Sequence, residues 1–267
     1  MLAIVGHTTR DVVDGGPVRA GGAPLFAARA LRAVGEQALV VTRCSADDES
    51  LIEPLRATGL RVVWQPVAES ASFSLRYREG VRELELETVA EPWTVDDARG
   101  WLGEALRDAD WVHLGALWSG DFPAETIQEL ARGRRLSFDG QGLVRPGRSG
   151  PVRLEPSLDP LLLSAIDVLH LSIDEADALG LSPDGRSLGS LGVPEVVVTL
   201  GEEGSIVWWR ERADRVPARP VAGADPTGAG DAFMAAYLAS RRGGHGPASA
   251  ARRATEVVHG LLSGGLR

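Results

Sequence analysis

The chain has 267 residues, 44% hydrophobic and 24% charged, with a net charge of -9 and one cysteine, Cys44. This is ordinary soluble globular composition, enough for one large α/β domain or two small ones. It argues against nucleic acid or an anionic membrane as partner, and a single cysteine excludes an internal disulfide and suits a reducing cytoplasm. Lysine and asparagine are absent, so every basic residue is arginine. Met1–Gly6 is too short and uncharged for a signal peptide, and no apolar run reaches membrane-spanning length.

Leu2–Val5, closed by Gly6, reads as a buried parallel strand. His7–Asp11 is expected as a polar loop at that strand's C-terminal end, where open α/β sheets bind ligands. Asp11 is therefore a candidate for holding a substrate hydroxyl, and His7 a structural hydrogen-bonder. A glycine-rich stretch from Gly15 to Gly22 precedes a helix over Pro24–Val34. Taken alone, Gly21 and Gly22 are only loop residues. Ala38–Thr42 is the next strand, Glu49–Thr58 a helix ended by Gly59, and Arg61–Trp64 a strand. Ser72–Arg78 and Val81–Val89 alternate apolar and polar residues, with Gly80 as the turn between them. Such a ribbon suits either a lid over a pocket or an ordinary edge hairpin.

Thr94 caps a helix expected to reach Arg107. Asp110–Gly115 is a buried strand, Ala124–Arg132 a helix, and Leu136–Asp139 a strand that ends in Asp139-Gly-Gln141-Gly-Leu-Val-Arg145. That strand–helix–strand order gives the rhythm of a doubly wound sheet. Ile166–His170 is a strand. Ser172–Leu179 is a helix whose acidic first turn, Glu175 included, would serve any helix as cap and dipole partner. Glu195–Trp209 is a hairpin turned through Thr199-Leu-Gly201-Glu-Glu-Gly204. Trp208 and Trp209 face opposite ways, one into the core and one as cover. A last helix covers Pro247–Leu262, with Ala and Val on one face and Arg on the other.

Before that helix comes Ala224-Asp225-Pro-Thr-Gly228-Ala229-Gly230-Asp231-Ala-Phe233, a tight loop running into helix-forming sequence. Small residues ahead of a helix leave its first N–H groups reachable, and with the dipole they make a cradle for an anion. Asp231 at its lip could accept the proton of a hydroxyl. An Asp there is also a common cap. A P-loop is excluded because it needs a lysine, and the dinucleotide fingerprint wants a third glycine where Phe233 stands.

Asp225-Pro-Thr-Gly-Ala-Gly-Asp231 resembles the C-terminal signature of the ribokinase-like (PfkB) carbohydrate kinases. The resemblance runs the length of the chain, in family order. It includes Asp11, the Gly21-Gly22 pair, the Asp139–Arg145 loop, Glu175 and the Thr-x-Gly-x-x-Gly hairpin. The Gln141-Gly form of that loop, with Gly6-His7-x-x-x-Asp11, Val41-Thr-Arg-Cys44 and Leu117-Trp-Ser-Gly-Asp-Phe-Pro123, is similar to the myo-inositol kinase branch.

The resemblance implies a single domain over residues 1–267. A doubly wound, mostly parallel sheet is flanked by helices, and residues 12–20 and 70–90 form a β-lid through which two copies could pair. It implies Asp231 as catalytic base and the amides of Gly228, Ala229 and Gly230 as anion hole. Asp11, Gly21, Gly22 and Gln141 would hold the acceptor, a small sugar or cyclitol, with myo-inositol favoured. Thr199, Gly201 and Gly204 would lie along ATP. Asp225 and Thr227 would shape a site for a monovalent cation such as K⁺. Glu175 would hold Mg²⁺ through water, although Ser172 stands where the family has Asn. The expected helix-terminus effect would depress the pKa of Asp231, and a weak base suffices where the hydroxyl proton leaves late. Three rivals remain open: another sugar or nucleoside kinase of the family, a binding protein on this scaffold without phosphotransfer, and a nucleotide-linked oxidoreductase.

Overall fold

The structure, a computed structural model, describes residues 1–78, 81–183 and 185–265. Its strands in chain order are β1 (Leu2–His7), β2 (Thr9–Val13), β3 (Arg19–Gly21), β4 (Ala38–Ser45), β5 (Arg61–Val67), β6 (Ser72–Arg78) and β7 (Val81–Thr88). They continue as β8 (Trp111–Gly115), β9 (Arg135–Asp139), β10 (Gly150–Pro151), β11 (Val168–Ser172), β12 (Glu195–Thr199), β13 (Ser205–Trp209) and β14 (Arg212–Val216). Nine of them form one sheet in the order β14-β13-β12-β11-β9-β8-β1-β4-β5. Every pairing from β5 to β12 is parallel, and the last two are antiparallel.

The apolar runs of the central strands serve two cores at once. Successive side chains on a strand point to opposite faces. Ala3 and Val5 of β1, Leu39 and Val41 of β4, and Val196 and Val198 of β12 face one core. Leu2, Ile4, Ala38, Val40 and Val197 face the other. The first core is covered by Leu102, Ile127, Leu130, Leu163 and Ala176. The second is covered by the helices Ala23–Ala33, Ala229–Arg242 and Pro247–Leu262, through Leu25, Leu31, Phe233, Tyr237, Ala251 and Ala254. This is a doubly wound, mostly parallel α/β sheet, as the sequence rhythm predicts.

One buried charge cluster fixes Ala229–Arg242 to that sheet. Glu195 of β12 accepts a hydrogen bond from Tyr237 Oη at 2.5 Å and bonds from Arg241 at 3.0 Å (Nε) and 2.8 Å (Nη2). A half-buried Arg fork paired to a buried carboxylate sets helix register as well as energy.

A second sheet stands off the first in the order β10-β7-β6-β2-β3. Phe73, Leu75 and Leu86 on its inner face pack with Leu117 and Trp118, which follow β8. The alternation in 72–78 and 81–88 produces two of its strands; Gly80, the expected turn, lies outside the described residues.

Several local expectations are corrected. Residues 9–13 form a strand of the second sheet instead of a polar loop, and Arg19–Gly21 pairs with it. Gly150–Pro151 extends that sheet without any apolar signal of its own. The segment from Glu49 is a 3₁₀ stretch, Ala46–Ile52, and becomes α-helical only over Glu53–Arg56, where Pro54 fits the first turn. Thr94 forms a capping box with Asp97, but its helix ends at Arg99. Gly100, at φ -99° and ψ -124°, breaks the path before Trp101–Ala105.

Candidate active site

The turn before Ala229–Arg242 is built by its own polar groups. Asp225 Oδ1 accepts the Thr227 amide at 3.0 Å and the Thr227 hydroxyl at 2.7 Å. Ala229 N donates to Pro226 O at 3.0 Å, which closes the loop. Gly228 then adopts φ 75°, a left-handed conformation that glycine alone takes without strain, and caps the helix with no side-chain bond. A Cβ on Gly228 would lie 2.0 Å from Cγ of Phe26, so glycine is required by space too. The amides of Gly228, Gly230 and Asp231 have no acceptor among the described residues. Of the expected set, the Ala229 amide is bonded to Pro226 O, while the amide of Asp231 has no such partner.

These groups open into a cleft of about 500 Å³ between the two sheets. Asp231 lines it, half-buried, with no hydrogen-bonded or ion-paired side-chain partner among the described residues. Its pKa is pushed up to about 7. Burial is the first cause, and the charge of Asp139 and then Glu175 adds to it, against the pull of His170 and Arg145. The expectation of a helix-depressed, weak base is therefore corrected: burial and the neighbouring carboxylates raise the pKa of Asp231 to about 7.

On the side of the second sheet the cleft is lined by Asp11, Gly22, Gln141 and Arg145, with Phe73, Leu75, Leu84 and Leu117 as apolar walls. Asp11 sits on β2, half-buried, where Thr9 Oγ1 donates to its Oδ1 at 2.7 Å. Gly21 does not line the cleft; it lies under the Asp11 carboxylate, which a Cβ there would strike. Gly22 has φ 90°, and a Cβ on it would come within 2.2 Å of the His7 carbonyl oxygen. The pair therefore lets the chain leaving β3 pass tightly beneath this side of the cleft. His7 itself is buried and bonds Asp121 Oδ1 at 2.9 Å, a structural tie between β1 and the loop that bears Leu117.

On the other side, Thr199, Gly201, Gly204 and Thr227 line the cleft together with Pro220, Val221, Val258 and Leu262. Asp225, turned onto Thr227, does not. Glu175 lines it and closes a capping box, its Oε2 accepting the Ser172 amide at 2.9 Å. Its other oxygen has no donor among the described residues. No group of three or more His, Cys, Asp or Glu side chains converges as a metal cage among those residues. A single carboxylate lining a cleft, with one oxygen left without a donor among the described residues, does fit Mg²⁺ bound mainly by water and phosphate, because that ion keeps its waters.

Two groups escaped the sequence reading. Arg145 was legible only as part of the Asp139–Arg145 loop. His170 was read as the end of a strand, and in the structure it lines the cleft with its Nδ1 2.7 Å from Asp139 Oδ1. A polar residue within an otherwise apolar buried strand, Val168–Ser172, was the available signal.

A family described as pfkB family carbohydrate kinase matches residues 9–258. An inositol 3-kinase of Zea mays is 30% identical over 126 residues, 45% of this chain and 32% of that protein. A nucleoside kinase of Methanothermobacter thermautotrophicus is 34% identical over 142 residues, 51% of this chain and 42% of that protein. The chain thus spans under half the length of these curated relatives. Among solved structures, a pyrophosphate-dependent kinase in the ribokinase family, complexed with a pyrophosphate analog and myo-inositol, superposes with TM-score 0.85 at 26% identity, over 98% of this chain and 95% of that one. Ribokinase of Arabidopsis thaliana, complexed with ribose and ATP, superposes with TM-score 0.76 at 20% identity, over 98% and 92%, a likeness of fold. No helix among the described residues is long and apolar enough to cross a membrane.

Proposed function

The chain belongs to the pfkB family of carbohydrate kinases, and from that membership we propose that it phosphorylates a hydroxyl of a small sugar or cyclitol, myo-inositol being favoured. The observation that supports this most is Asp231: a carboxylate with a pKa of about 7 in a cleft, with no side-chain partner among the described residues and beside amides that have no acceptor there. The acceptor lies against Asp11 and Gln141 with its carbon face on Leu117 and Phe73. Asp231 takes the hydroxyl proton as the oxygen attacks the terminal phosphorus of the donor, and the bond from that phosphorus to the leaving phosphate breaks. The amides of Gly228, Gly230 and Asp231 hold the charge on the transferring group. Glu175 would hold Mg²⁺ through water, and the bound ion would supply charge to screen the donor phosphates. The second sheet acts as the lid that keeps water out, and its edge strand β3 offers a place for a second copy to pair.

The favoured donor is ATP, because the cleft continues beyond Thr199 and Gly204 between the apolar side chains of Pro220, Val221, Val258 and Leu262, which suit a flat base. Pyrophosphate is the second reading, favoured by the pyrophosphate-dependent structure that superposes over 98% of the chain. A matrix of donors (ATP, pyrophosphate) against acceptors (myo-inositol, ribose, fructose, a nucleoside), read as phosphorylated product, decides between them. Including and omitting K⁺ tests the monovalent site proposed at Asp225 and Thr227. Product from ATP and a cyclitol supports the first reading. Thermal stabilisation by ligands with no product from any pair would leave a binding protein and overturn the kinase.

A further inference from the structure

A buried polar chain lies beneath the anion turn, and the transfer scheme leaves it without a role. Asp139, at the end of β9, is 1% exposed. His170, on β11, places Nδ1 2.7 Å from Asp139 Oδ1 and Nε2 3.2 Å from Thr199 Oγ1. The Thr199 hydroxyl lies 3.3 Å from the Leu171 carbonyl and has one hydrogen to give, to that carbonyl or to Nε2. An ionised carboxylate only accepts, so Nδ1 donates to Asp139. With the hydroxyl hydrogen on the carbonyl, Nε2 donates as well and the ring is the imidazolium. Between those nitrogens, Cε1 faces the helix start: a Cβ on Gly230 would lie 3.2 Å from it. The ring thus packs against Gly230, whose amide is free among the described residues, in a chain without lysine.

We propose that His170 is a positioning residue for phosphoryl transfer: an imidazolium, locked between Asp139 and Thr199, that backs the anion turn with positive charge and holds the donor's terminal phosphate on the free amides beside Asp231. The proposal rests on the kinase reading above. The charged groups facing His170 come from every neighbouring element. They are Asp139 on β9, Glu175 on the helix Ile173–Ala178 and Asp231 on the helix Ala229–Arg242, with His113 of β8 behind, its Nε2 3.3 Å from Asp139 Oδ2. Burial alone would lower the basicity of His170, but the hydrogen bond and charge of Asp139, with Glu175 and Asp231, raise it above the ordinary imidazole range. Asp139 in turn is held well below the carboxylate range: burial opposes this, and His113 and His170 outweigh it.

Nitrogen-15 NMR of the wild-type imidazoles, without donor, reads the ring directly. Both nitrogens of His170 carry hydrogen at about pH 7, where an unperturbed imidazole is mostly neutral. A ring with one bare nitrogen there overturns the proposal, whatever the chain's activity. In the catalytic arm, His170→Asn keeps a donor toward Asp139 and removes the charge. Turnover falls by roughly 10²-fold, the scale of a lost electrostatic contact in a closed site. The acid limb of the turnover profile moves to higher pH, because Asp231 loses a neighbouring cation. A lowered melting temperature with unchanged turnover per folded molecule and an unmoved acid limb would make His170 packing only. Should the wild type phosphorylate nothing, the kinase reading fails while the NMR result still stands.

Discussion

Replacing Gly228 by alanine tests the anion turn through its geometry. The residue sits at φ 75°, and the added Cβ would lie 2.0 Å from Cγ and 2.1 Å from Cδ1 of Phe26. Left-handed strain for alanine is about 1–2 kcal/mol. Displacing the half-buried Phe26 ring, which stands on the helix Ala23–Ala33 against the turn, adds about 1–3 kcal/mol of overpacking. Gly228→Ala is thus expected to lower unfolding free energy by about 2–5 kcal/mol and to raise KM for the phosphate donor, since the relieving motion drags the amides apart. Phe26→Ala removes the ring, so the double variant retains only the backbone strain. Urea unfolding of the four proteins should then give a favourable coupling of about 1–3 kcal/mol, with donor KM partly restored. A Gly228→Ala protein as stable as wild type, with unchanged donor KM, would refute the reasoning, because neither the backbone nor the ring would then constrain the turn.

The pH behaviour of Asp231 gives a second expectation. Its folded pKa of about 7 exceeds the model-peptide value of 3.8, so the folded state binds the proton more tightly. The associated stability is complete below about pH 4 and is lost as pH rises through about 7. At about 1.36 kcal/mol per tenfold change in proton affinity, the ceiling is about 4 kcal/mol. Asp231→Asn should therefore be more stable than wild type at about pH 8 and nearly equal near pH 4; urea unfolding at the two pH values checks the sign. Wild-type turnover should lose activity below about pH 7, read from kcat in a three-buffer series. Glu195→Ala strands Arg241 and the Tyr237 hydroxyl in the interior, and should cost about 3–5 kcal/mol in chemical unfolding. Asp11→Ala should raise acceptor KM roughly 10- to 100-fold with donor KM unchanged, the worth of a charge-assisted hydrogen bond.

The architecture was legible because its rules are local. Two-sided apolar strands such as Leu2–Val5 admit few places other than the middle of a parallel sheet. Pro247 and the Ala-rich face after it fixed the last helix to the residue. The second sheet was half legible. Alternation revealed 72–78 and 81–88, but β2 carries Thr9, Arg10 and Asp11, polar residues that read as loop until a partner strand accepts their backbone. The helix after Thr94 was overextended because Gly100, one residue, decides a break that periodicity averages away.

The site divides the same way. Gly22 read, taken alone, only as a loop residue and Gly228 as part of a tight loop before a helix, and the structure adds the His7 carbonyl and the Phe26 ring that forbid anything larger. The pKa of Asp231 was misjudged because local sequence shows the helix start and hides Asp139, 92 residues earlier, and Glu175. His170 went unread for the same reason: its partners come from β9 and β12, and only the fold brings them together.

The central claim is most directly tested by Asp231→Asn, assayed with the best donor and acceptor pair, with donor affinity measured by calorimetry on the same protein. Donor binding should stay within about twofold of wild type while turnover falls by roughly 10²–10⁴, the range of a lost general base. Turnover near that of wild type, with the donor still bound, would contradict it.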